Sequence, residues 1–398
     1  MNLLKLQLGE PISTKKLSLQ GVKKVFDVYR IPIDQLVYNK KNGRIATYVS
    51  EFIDEGNNFP QNDIEAFNNI IEKYIEQSNP EALKKTKANI RVMSQTEPAV
   101  VLSNGVILDG NRRFTSLRQL TREIGGAEFA FLEAVILDES LYKEKDIKRL
   151  ELNLQHAYES RVDYNPIDRL VDIYRDLISD TSQFTPLEYA RETQSSVKKI
   201  NEEIEVARLM IEYLEFIGQP LKFFIARNQK IDGPIREVRK ILKSSKIDGN
   251  RIDDIKEFLF LNILSLEGDI SRRVRDLKSV FEDRQLSTRL LDKIEESEIL
   301  EDANDFFEDG QNKESFKENH VVTLDMTIRE STQKMTEDFV EKKKLLNAKN
   351  QSIEVLNRVY SLISEVDKEE ITRLDDRRQE ELSTLVLKII EKLELLRD

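Results

Sequence analysis

Residues 100–117 constrain the fold of this chain more than any other stretch. Val100, Val101 and Leu102 form an apolar run that ends in the turn triplet Ser103-Asn104-Gly105, and Val106, Ile107 and Leu108 form a second run that ends in Asp109-Gly110. Phe114, Leu117 and Leu120 then recur at helical spacing. The pattern predicts two strands around a tight turn, a sharp change of direction at Gly110, and a helix that opens with Arg112 and Arg113 in its first turn. A helix N-terminus offers amide N–H groups and the positive end of the helix dipole. Two guanidinium groups at the same point make a place suited to phosphate. The same spacing also suits an ordinary helix capped by Asp109 with its arginines in solvent.

Charge and composition narrow the rest. A length of 398 residues predicts two or three domains. Charged residues make up 34% of the chain, with 13 glycines and 9 prolines, a profile of a mainly helical protein. The absence of cysteine excludes disulfides, thiolate zinc sites and a cysteine nucleophile. With His156 and His320 as the two histidines, a histidine-rich metal centre is excluded as well. The N-terminus lacks signal-peptide architecture and no apolar run reaches membrane-spanning length, so the expectation is a soluble, cytoplasmic protein without a membrane partner. A net charge of -11 argues against coating of nucleic acid by the whole chain. A local basic face is still available, because Lys15, Lys16, Lys23, Lys24, Arg30, Lys40, Lys41 and Arg44 crowd the first fifty residues.

The expected fold class is α+β: a small N-terminal α/β domain, then an all-helical domain, then a long helical C-terminal region. Residues 1–138 alternate strand-like runs with turns and helices. Val28 to Ile33 predicts an edge strand, since Pro32 cannot donate to a central ladder. Residues 62–86 predict a helix with Ile64, Phe67, Ile70, Ile71, Tyr74 and Ile75 on one face. Residues 129–137 predict a buried strand. Residues 139–220 are read as helical throughout. Within them, Thr185 caps a short helix, Thr193 to Ser196 make a turn, and Val197, Ile200, Ile204 and Ala207 continue at helical spacing, the order of a helix-turn-helix. A plain helical hairpin has the same order. Ser195, Ser196, Lys198 and Lys199 are the candidate DNA contacts, against which Glu202, Glu203 and Glu205 argue. Residues 221–300 and 311–398 are read as two helical groups separated by a solvated acidic linker over 301–310. Leu345, Ile353, Leu356, Tyr360 and Ile363, then Leu382, Leu385, Ile389, Leu393 and Leu396, predict long helices that pair within the chain or with a second copy.

Three motifs in a fixed order resemble the ParB/sulfiredoxin superfamily, and in particular ParB-type chromosome-partitioning proteins. Ile31-Pro32-Ile33-Asp34-Gln35-Leu36 with Asn42-Gly43-Arg44 is similar to the family's opening strand and following arginine. Leu108-Asp109-Gly110-Asn111-Arg112-Arg113-Phe114 is similar to its phosphate-binding turn. Leu152-Asn153-Leu154-Gln155, then Asp163-Tyr164-Asn165-Pro166-Ile167-Asp168, resembles its second nucleotide motif. The likeness covers residues 25–220. It departs at Asn111, where many ParB proteins have glutamate, at His156, where the usual residue is arginine, and over residues 48–95, which are longer than the family's equivalent.

The resemblance implies a nucleoside triphosphate, CTP or ATP with magnesium, held by Arg44, Gly110, Asn111, Arg112, Arg113, Asn153 and Gln155. Asp109 is a candidate metal ligand or orienting group, and His156 a candidate general base, each with an ordinary structural role as the alternative. Three functions follow. The first is a ParB-like DNA-binding protein with a nucleotide switch in its N-terminal domain, dimeric or docked to a second protein through its C-terminal helices. The second is a nucleoside triphosphatase or DNA nuclease of the same superfamily, in a phage-defence or mobile-element system. The third is a catalytically silent interaction protein.

Overall fold

The computed structural model describes residues 2–124, 126–158, 165–309, 322, 324–367, 371 and 374–397, with 156–158, 349–352 and 397 described in backbone alone. The fold is α+β, a small N-terminal sheet followed by helices. The chain forms two compact units, residues 1–335 and 336–398.

The sheet has five strands: β1 Ser13–Leu19, β2 Val22–Pro32, β3 Ala99–Leu102, β4 Ile107–Asp109 and β5 Phe131–Leu137, in the order β1-β2-β5-β3-β4. β3 and β5 run parallel and the other neighbours antiparallel. Side chains alternate across the pleat. Ile31, Val101, Leu132 and Ala134 enter one core, under helices α2 Ile64–Ser78, α3 Pro80–Met93 and α4 Asn111–Ile124. Val28, Val100, Val135 and Leu137 enter a second core on the other face, closed by Leu150 and Leu154 of α5 Glu144–Tyr158.

Three sequence expectations change here. β2 is not an edge strand, because it lies between β1 and β5. Pro32 ends it opposite Phe131, where a missing N–H no longer interrupts a ladder. The helix read over 62–86 is two helices. Asn79 accepts the amide of Ala82 and caps α3, and Pro80 takes its first position. The acidic stretch 301–310 is not a linker: Ile299–Glu308 is a helix with Ile299, Ala303 and Phe307 buried one per turn. Its carboxylates occupy the solvent face between those buried positions, so the charge count hid the apolar stripe.

The helical part of the first unit starts with α1 Ala46–Asp54, which packs against α6 Pro166–Ile173 and α9 Phe223–Asn228. α6 passes into a π-helical turn over Tyr174–Ile178. α7 Pro186–Glu192 and α8 Val197–Phe216 follow, then α10 Asp232–Leu242, α11 Ile252–Ser265, α12 Ile270–Phe281, α13 Arg284–Glu296 and α14 Ile299–Glu308. α15 Met326–Ser364 and α16 Asp376–Arg397 complete the described chain. No helix among the described residues is long and apolar enough to cross a membrane.

α4 is held rigidly, which matters because its first turn carries the two arginines. The Tyr38 hydroxyl and Thr115 Oγ1 are 2.7 Å apart, and the Tyr38 and Phe114 rings meet edge to face at 4.7 Å. Arg118 donates to both Glu65 oxygens at 2.9 and 3.0 Å and to Glu72 at 2.7 Å, tying α4 to α2. Such forked charged bonds fix direction as well as position.

Candidate functional site

β4 ends at Asp109 and α4 begins at Asn111, so one residue makes the whole turn. Gly110 makes it with φ +108°, a conformation open to glycine. Its carbonyl accepts the Phe114 N–H at 2.9 Å and so closes the first turn of α4. A Cβ at position 110 would lie 2.7 Å from the Ala99 Cβ. Backbone conformation and the approach of β3 therefore both require glycine here.

This helix end opens into a cavity of about 250 Å³. Arg44, Asp109, Gly110, Asn111, Arg112, Arg113 and Gln155 all line it, although they come from three separate parts of the sequence. Arg44 arrives on the 3-10 turn Gly43–Ile45, which Asn42 caps by accepting the Arg44 amide at 3.0 Å. Gln155 reaches in from α5 and donates to Glu151 at 3.3 Å. Asn111 Oδ1 is buried and has no hydrogen-bond partner among the described residues.

Asp109 and Arg113 form an ion pair of 2.7 Å, and Arg113 also donates to the Glu97 carbonyl. Asp109 thus orients a guanidinium. Among the described residues no group of three or more histidines and carboxylates is placed to hold a metal ion.

The wall also holds Lys15, Asn42 and Glu97, which the sequence reading did not select. Lys15 is buried on β1 and donates to the Pro98 carbonyl. Burial pushes its ammonium pKa below the usual lysine range, assisted by Arg113 and opposed by Asp109 and Glu97. A signal for it existed: Lys15 shares the inward parity of Leu17 and Leu19 on β1, an inside position for a charged residue.

Not every expected residue joins the cavity. Asn153 donates to Glu192 at 2.8 Å and ties α5 to α7. The His156 side chain, and the second motif's Asp163 and Tyr164, lie outside the described residues.

α7, a four-residue turn and α8 stand where the helix-turn-helix order was read. Thr185 and Glu188 form a reciprocal capping box at the start of α7. Ser196 caps α8 by accepting the Lys199 amide at 3.2 Å, and the Ser195 hydroxyl donates to the Thr193 carbonyl. Lys198 is exposed and Lys199 half-buried. Two of the glutamates that argued against DNA are engaged by α10. Arg236 grips Glu203 with two bonds of 2.9 and 3.1 Å, and Arg239 and Lys243 each reach Glu205 at 2.7 Å. Burial raises the Glu203 pKa, but the Arg236 fork outweighs it and the carboxyl stays below its ordinary value.

No family model matches the chain. No curated protein matches it either. Among solved structures, the chain is similar to the C2221 form of a Pnob8-like ParB-N domain at 13% identity, with 68% of this chain and 97% of that one covered and a TM-score of 0.34.

Proposed function

We propose that the first unit binds the phosphate chain of a nucleotide at the N-terminus of α4 and that the protein acts on DNA as a ParB-like switch. The observation that carries this reading is the convergence of Arg44, Arg112, Arg113 and Lys15 on one cavity at the start of α4. Guanidinium forks and helix-end amides are the groups that recognise phosphate oxygens. A cavity of about 250 Å³ is slightly smaller than ligand pockets, which start at roughly 300 Å³. It suits phosphates, with the nucleoside at the mouth. The buried Asn111 Oδ1 is an acceptor and would be met by a hydroxyl or amine hydrogen of the ligand, which favours a nucleotide over a bare phosphate. Magnesium enters this reading with the triphosphate rather than through a protein cage. Titration of the protein with each nucleoside triphosphate and magnesium, followed by calorimetry, tests it. Absence of heat for all four sinks the nucleotide reading.

The DNA part of the proposal rests on the exposed start of α8 and on the neutralisation of Glu203 and Glu205 by α10. If Lys198 and Lys199 meet DNA phosphates, exchanging both for glutamate lowers the salt dependence of DNA binding by about two in the log–log slope, since each lost contact removes about one. Binding isotherms between low and moderate salt give that slope. A slope equal to wild type removes α8 from the interface.

The second unit supplies the reading of a dimer. Leu346, Ile353, Leu356, Tyr360 and Ile363 of α15 are exposed and follow seven-residue periodicity. Val386 and Leu393 of α16, both exposed, continue such a spacing with Leu382, Ile389 and Leu396. Apolar seams of this period pair helices. The expected species in sedimentation equilibrium is a dimer, and Leu356→Asp with Ile363→Asp shifts it to monomer. A monomeric wild-type protein would rule the pairing out.

A further inference from the structure

The cavity's Arg44 turn is fastened from outside the N-terminal domain. Thr47, three residues beyond Arg44 and in the first turn of α1, is fully buried. α1 has no local side-chain cap. Its Thr47 amide donates instead to Asp168 Oδ1 of α6 at 3.0 Å, across 121 positions of sequence. The Thr47 hydroxyl accepts from Arg227 of α9 at 3.1 Å, and Arg227 also bonds Glu51 at 2.6 Å and lies 3.9 Å from the Tyr48 ring. Lys222 pairs with Asp54 at the far end of α1 at 3.1 Å. Asp168 is itself completely buried, and its Oδ2 has no partner among the described residues. A buried carboxylate with one oxygen unsatisfied is costly, so a position that keeps it invites a role beyond packing.

We propose that Asp168 is a positioning residue that caps α1 from α6 and thereby sets the Arg44 turn in the cavity, so that phosphate binding and the placement of the helical segment are coupled through α1. The proposal rests on the phosphate reading of the cavity. The coupling is short and rigid. Arg44, Ile45, Ala46 and Thr47 are consecutive, and the Ala46 amide already closes onto the Gly43 carbonyl. A shift of α6 or α9 therefore moves the Arg44 backbone directly. By linkage, a ligand that holds Arg44 must favour the matching arrangement of α6 to the same extent.

The experiment uses the full chain and inorganic triphosphate as probe. Asp168→Ala removes the cap and is expected to weaken triphosphate binding about tenfold, a difference equivalent to one charge-assisted hydrogen bond. Adding Asp168→Ala to Arg44→Ala is expected to cost nothing further, since both act through the same guanidinium. Asp168→Asn keeps an acceptor for the Thr47 amide, and binding within about twofold of wild type is expected; this variant covers the case in which the alanine variant does not fold. Hydrogen exchange without ligand gives a second readout, with faster exchange at residues 44–47 expected in Asp168→Ala. Equal triphosphate affinity in wild type and Asp168→Ala, or full additivity with Arg44→Ala, overturns the coupling while leaving the phosphate site standing. Unchanged exchange at 44–47 overturns the cap. No triphosphate binding by wild type ends both readings.

Discussion

Replacing Arg112 and Arg113 together with alanine is expected to lower triphosphate affinity by about a hundredfold or more, which for a site of ordinary strength means loss of measurable binding. Charge-assisted hydrogen bonds contribute roughly 1.5–3 kcal/mol each, and every 1.4 kcal/mol or so is a factor of ten. The two arginines are not equivalent. Arg113 is held by Asp109 at 2.7 Å and by the Glu97 carbonyl, so its guanidinium is fixed in advance and loses little freedom when an anion arrives. Its removal also leaves the Asp109 carboxylate beside Lys15 without its main partner, and the double variant is expected to melt somewhat lower. Arg112→Ala alone separates the two effects, because Asp109 keeps its ion pair. Calorimetry with triphosphate, beside a thermal melt of each variant, reads both. Wild-type affinity in the double variant would reject the site.

The fold and the site were legible in the sequence to different depths, for local and non-local reasons. The Gly110 turn was readable because everything it needs is adjacent: an apolar strand through Leu108, one glycine, and a helical stripe from Phe114. The arrival of Arg44 and Gln155 at the same cavity was expected from motif order, and the structure brings both to it. Asn153 carried the same motif signal and points elsewhere, because two residues along a helix turn a side chain by about 200° and Gln155 takes the inward direction. Lys15 was counted as part of a basic region when its significance lay in strand parity. Which face of β1 is inside depends on β2 and α5, and the strand's own sequence does not contain that information. The pairing of Glu203 and Glu205 with Arg236, Arg239 and Lys243 is non-local in the same way, and it changes how the charge of α8 should be read.

The stability of the protein is expected to fall as pH rises from about 5 to 7, and Asp168→Asn is expected to remove most of that dependence. Burial pushes the Asp168 carboxyl from its ordinary 3.8 to about 7, against the opposing hydrogen bonds of Thr47 and the charge of Arg227, with Asp172 on the same side as burial. The groups that face it are therefore Thr47 and Tyr48 of α1, Asp172 of its own helix and Arg227 of α9, whose guanidinium is shared with Glu51 of α1. A carboxyl whose folded pKa is raised binds its proton more tightly in the folded state. Its contribution is complete below the unfolded value, near 4, and is lost as pH rises through 7. Between these limits the slope is at most about 1.4 kcal/mol per pH unit, and the whole span amounts to about 4 kcal/mol. Asp176, raised to about 6 chiefly by burial, acts in the same direction over the lower part of the window. The carboxylates held low by partners act in the opposite direction at lower pH. Glu188, held at about 2 by its hydrogen bond to Lys145 and the Thr185 amide, has finished titrating before pH 5. Above pH 5 the Asp168 contribution is therefore exposed to measurement. Denaturant unfolding at pH 5, 6, 7 and 8 gives the slope for wild type and Asp168→Asn. The asparagine variant carries no charge to desolvate, so it should be the more stable protein at pH 8 and lose its advantage toward pH 5. Parallel curves for the two proteins across that range would show that Asp168 is ionised throughout and that its buried environment is more polar than the structure makes it.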